Sequence, residues 1–168
     1  MKLDKVSFYG PFLLLVLATL LIPATVFAQG AGYYTVSQGD MKVQITPLEG
    51  PGSAIDYYNF TDNQSNTGFE EANTAVFFLY QDSTSGMTSL FVLLSGANGI
   101  AGATTVALSG VPAGADFTVK DDELDFRDVW ELTPPTGSVT WVWDDTKSDG
   151  MVLGPLGRDF EISLFPQF

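Results

Sequence analysis

Short runs rich in Val, Thr, Tyr, Phe and Trp alternate along this chain with Gly, Pro, Asn and Asp. Nine runs have the length and β-branched or aromatic content of strands: 33–38, 41–47, 55–61, 74–81, 88–95, 103–110, 115–121, 138–143 and 159–165. "AVFFLY" and "LFVLL" are apolar at successive positions and predict central strands covered on both faces. "ATTVALSG" and "DFTVKD" alternate as half-buried strands do. No segment carries a sustained helical stripe. The nearest, "DDELDFRDVWEL" (121–132), predicts a helix of one or two turns and a loop or irregular strand about equally well. The pattern therefore predicts an all-β fold: one antiparallel β-sandwich of about 7–9 strands, immunoglobulin-like or jelly-roll-like.

The first 28 residues follow a different logic. Lys2 and Lys5 precede an apolar run, Phe12 to Ile22, whose one polar residue is Thr19 and which Pro23 ends, and Val26 and Ala28 occupy the −3 and −1 positions of a signal-peptidase site. The run is shorter than the ~20 residues that span a bilayer. The expected organisation is a cleaved signal peptide, 1–28, and a sandwich domain, 29–168, without a membrane span. That places the protein outside the cell or on the exterior of its envelope. There is no Cys for a lipid anchor or a disulfide frame.

Charge narrows the partners. The chain holds 20 acids and 7 bases, a net charge of −13, which disfavours nucleic acid. The acids gather in "KDDELDFRD" and "DDTKSDG", where two loops at one end of a sandwich would supply the oxygen ligands that calcium requires. The candidate metal residues are Asp121, Asp122, Glu123, Asp125, Asp144, Asp145 and Asp149. The alternative is a solvated acidic face whose aspartates cap turns. An EF-hand is excluded, since Lys147 and Leu156 occupy ligand positions of that loop.

Trp141 and Trp143 share one face of a strand. They read either as sandwich core or as a stacking platform for sugars. Asn59 and Asn63 open two glycosylation sequons. The chain contains no His and no nucleophile elbow, and no pair of carboxylates stands out as acid and base, so no enzyme is expected. The functional expectation is a secreted, non-enzymatic module for cell-surface binding or adhesion, stabilised by calcium at its acidic loops, whose partner is a surface or matrix protein or polysaccharide. The alternatives are a carbohydrate-binding module built on Trp141 and Trp143, or a subunit of an extracellular filament. The filament reading takes the apolar runs at 33–38 and 162–168 as edges open to self-assembly.

Overall fold

The computed structural model describes residues 15–16, 24–29, 32–62, 64–95, 102–143 and 148–167. Within them the chain forms β1 (Leu15–Val16), β2 (Ala24–Gln29), β3 (Tyr33–Gln38), β4 (Met41–Ile45), β5 (Leu48–Gly50), α1 (Ala54–Tyr58), β6 (Thr74–Asp82), β7 (Thr88–Ser95), β8 (Gly102–Ser109), β9 (Asp116–Lys120), β10 (Val129–Thr133), β11 (Thr136–Trp143), β12 (Ser148–Gly154) and β13 (Glu161–Gln167). One sheet has six strands in the order β1-β6-β7-β12-β9, with β5 parallel to β6 at Leu48↔Tyr80. The other has seven, in the order β10-β11-β8-β13-β2-β3-β4, and all its pairings are antiparallel.

The sheets face each other across one apolar core. Leu90, Val92, Leu94, Met151 and Leu153 come from the six-stranded sheet. Val106, Leu108, Val139, Trp141, Ile162 and Leu164 meet them from the other. The all-β sandwich expected from the sequence is therefore the fold. Among the described residues it has more strands than the seven to nine expected: β1 and β2 fall in or at the end of the stretch read as a signal peptide, β5 is three residues long, β10 begins in the ambiguous 121–132 stretch, and β12 interrupts its apolar residues with Asp and Gly.

The six-stranded sheet is covered on its outer face as well. Tyr58, Val76, Phe78, Tyr80, Phe91, Leu93, Val119 and Val152 form a second buried cluster, with Tyr57 and Phe69 packed against it. The rings interlock, Phe78 stacking on Phe91 at 4.7 Å and Tyr57 on Tyr80 at 4.5 Å. This second layer explains why β6 and β7 are apolar at consecutive positions.

Two segments depart from the pattern. Residues 55–61, expected as a strand, begin in α1. The Ser53 hydroxyl accepts a hydrogen bond from the Asp56 N–H, and the Asp56 carboxylate accepts one from the Ser53 N–H, closing a capping box. Asn59 ends the helix in the left-handed region at φ 51°. The second departure is "SDGMVLG", which lies outside the nine predicted strands and whose first residues belong to the "DDTKSDG" acidic loop of the sequence reading. It is β12, a strand buried at all seven positions between β7 and β9. The ladders on both sides override the weak strand preference of Asp149, Gly150 and Gly154. The ambiguous 121–132 stretch resolves into turns followed by β10.

Of the stretch read as a signal peptide, β1 and all but the last residue of β2 belong to the described residues. β1 pairs with β6, and β2 lies between β13 and β3. No helix among the described residues is long and apolar enough to cross a membrane.

Candidate functional site

At one end of the sandwich β9 runs out into the loop 121–128 while β12 enters the sheet beside it. The Asp121 N–H donates to the Gly150 carbonyl at 3.2 Å, and this bond places Asp121 at the sheet margin with no exposed surface. Its Oδ2 accepts a 2.6 Å hydrogen bond from the hydroxyl of Tyr58, which α1 delivers from the outer layer and which is itself fully buried. Gly150 makes room for that contact. A Cβ there would meet the Tyr58 hydroxyl at 2.8 Å and would collide with the Val92 carbonyl.

Two further aspartates complete the cluster. Asp149 is buried, and its Oδ1 accepts the Gly150 N–H at 2.9 Å. Asp128, half-buried at the other end of the loop, accepts the Val142 N–H on Oδ1 at 2.9 Å and so ties the loop to β11 of the opposite sheet. Their remaining oxygens are less well served. Among the described residues, Asp121 Oδ1 and Asp128 Oδ2 are buried and find no hydrogen-bond partner, nor does the Trp130 Nε1 donor.

Burial and mutual repulsion shift these carboxyls upwards from their usual 3.8. Burial comes first for each. Asp149 is pushed to about 9, helped by the charges of Asp128 and Asp121. Asp121 rises to about 7 although the Tyr58 hydrogen bond works against the rise, with Asp122 and Asp128 adding to it. Asp128 rises to about 6, opposed by the Val142 N–H and raised by Asp125 and Asp122. The phenol of Tyr58 is held well above 10 by burial and by Asp121.

The loop between these anchors is internally braced. Asp125 receives Arg127 through Nε at 3.0 Å and Nη2 at 2.6 Å, and Lys120 pairs with Glu123 at 3.0 Å. The Asp125 N–H bonds the Asp122 carbonyl and the Asp128 N–H bonds the Asp125 carbonyl, two consecutive tight turns. At the tip, Leu124 and Phe126 are 98% and 93% exposed.

The candidate metal residues thus separate. Asp121 and Asp149 come together, and Asp122 is near enough for its charge to raise both pKa values. Glu123 points away to Lys120, and Asp125 is engaged by Arg127. Asp144 and Asp145 lie outside the described residues. Asp128 was absent from the candidate set. The signal for it was its place at the end of "DELDFRD", where a loop that leaves one strand must be fastened before the next.

Trp141 is fully buried, and its Nε1 donates to the Gly150 carbonyl at 3.2 Å. Trp143 is half-buried, with its indole in the space left by the missing side chain of Gly102. Trp141 lies within the core, and Trp143 packs against it. Of the two sequons, Asn59 is exposed at the C-cap of α1, and Asn63 lies outside the described residues. No family model matches the chain, and no curated protein or solved structure shows a significant match to it.

Proposed function

We propose that this chain is a secreted, non-enzymatic binding module of the cell exterior, and that the loop 121–128 is its contact element. The observation that carries the reading is the near-complete exposure of Leu124 and Phe126 on a braced loop. Isolated apolar residues on a surface need no explanation. Two at one tip are different, because the loop beneath them is held by hydrogen bonds at Asp121, Asp125 and Asp128 and ordering it has a conformational cost. A pre-ordered loop binds without meeting that cost again. Asp122, Glu123 and Asp125 flank the tip, so the complementary surface is an apolar socket with a basic rim on a surface or matrix component.

The test is retention of the labelled protein on intact cells of its source, compared with a Leu124→Ser/Phe126→Ser variant. Burying a Leu or Phe side chain is worth about 1.5–3 kcal/mol. Each substitution is therefore expected to weaken retention about tenfold or more, with an unchanged melting temperature. Equal retention of the variant refutes the contact element.

A further inference from the structure

We infer that Asp121, Asp128 and Asp149 are the carboxylate ligands of a hard divalent cation, with calcium the ion they suit best. The inference goes beyond the contact reading and does not depend on it. It starts from Asp121, which has no exposed surface and whose Oδ1 finds no partner among the described residues. A buried carboxylate oxygen left unbonded is among the most expensive arrangements in a fold. Asp128 Oδ2, also buried and unbonded, repeats the arrangement on a neighbouring residue whose charge Asp121 feels. Asp149 is buried beside both, and their charges act on it in turn.

Among the described residues, the nearby bases are paired with other carboxylates. Lys120 is engaged by Glu123, and Arg127 by Asp125, with its charge only a minor offset at Asp128. A divalent cation would neutralise the repulsion and give the two unbonded oxygens a partner in one step. The donors are all oxygen and the chain has neither His nor Cys, which selects calcium over zinc or copper. No three acidic side chains among the described residues already converge as a ligand set. Binding therefore requires the Asp128 and Asp149 side chains to turn towards Asp121, with carbonyls or water filling the remaining positions. The three residues sit on β12, at the end of β9 and at the start of β10, and Asp128 also bonds to β11, so the ion would link the two sheets at this end.

Calorimetry of the full chain with calcium chloride tests the site. Saturable binding is expected, with a dissociation constant of roughly 10⁻⁴–10⁻³ M, the range of extracellular modules, and the melting temperature should rise with calcium. Asp128→Asn keeps an oxygen for the Val142 N–H and is expected to fold, yet to lose about tenfold or more in affinity, at least the cost of removing a residue that only orients a ligand. Asp149→Asn should do the same. Glu71→Gln, which changes an exposed charge outside the cluster and the loop, should bind like the parent. Terbium offers an independent readout, since Tyr58, hydrogen-bonded to Asp121, can sensitise its emission and calcium should quench that signal by competition. The assignment is overturned by the absence of saturable heat at millimolar calcium. It is equally overturned if Asp128→Asn and Asp149→Asn both bind as tightly as the parent, which would mean diffuse attraction to an acidic surface.

Discussion

Asp149 shows how far one residue can depart from the role its neighbours in sequence suggest. Within "DDTKSDG" it resembles a turn residue in water, yet it lies 3% exposed in a central strand. The consequence is a pH dependence of unusual direction. In the unfolded chain Asp121, Asp128 and Asp149 titrate near 3.8, whereas in the fold burial raises them to about 7, 6 and 9. Folding therefore takes up protons. The stability this supplies is complete below about pH 4 and is lost as the pH climbs through the folded values. In chelator the melting temperature is expected to fall steadily between about pH 5 and about pH 9, and saturating calcium should flatten that slope. A melting temperature that rises over the same interval in chelator contradicts the buried cluster. The sequence made Asp121 and Asp149 visible as acids. Their burial was not visible, because it depends on Tyr58 arriving from 63 positions away.

At the level of elements, the strands that were legible were those whose burial follows from their own composition. β6 and β7 announced a sheet covered on both faces, and β8, β9 and β11 announced half-buried strands. β12 did not, because its strand character comes from the ladders to β7 and β9. α1 was missed for the opposite reason. "SAID" carries a local cap, but "IDYYNFT" has the aromatic content of a strand and outweighed it. The helix is only five residues long, and its purpose is positional: it sets Tyr57 and Tyr58 against the outer face of the sheet. Such a helix depends on its cap. Ser53→Ala is expected to lower stability by about 0.5–2 kcal/mol in urea unfolding. A variant as stable as the parent would show that packing of the tyrosines alone holds the turn.

For the whole molecule, sheet order separates neighbours in sequence and joins distant ones. β12 inserts between β7 and β9, so the hairpin of β6 and β7 gains its second neighbour only when the last third of the chain is in place. Hydrophobic pattern reports which faces are covered, but it carries no record of that order. The placement has one more consequence, which concerns time rather than geometry. β7 and β12 are each flanked on both sides and buried along nearly their full length, so their amides should exchange with solvent only when the entire protein opens. β10, an edge strand with alternate positions exposed, should exchange through local fraying. Hydrogen exchange is expected to separate the two groups, and calcium should slow the β12 amides by the same factor as the slowest amides elsewhere. Because the acidic cluster begins on β12, whatever it binds acts on the deepest strand of the molecule. Such a ligand would set how long the fold survives between openings, and not merely how one loop is arranged.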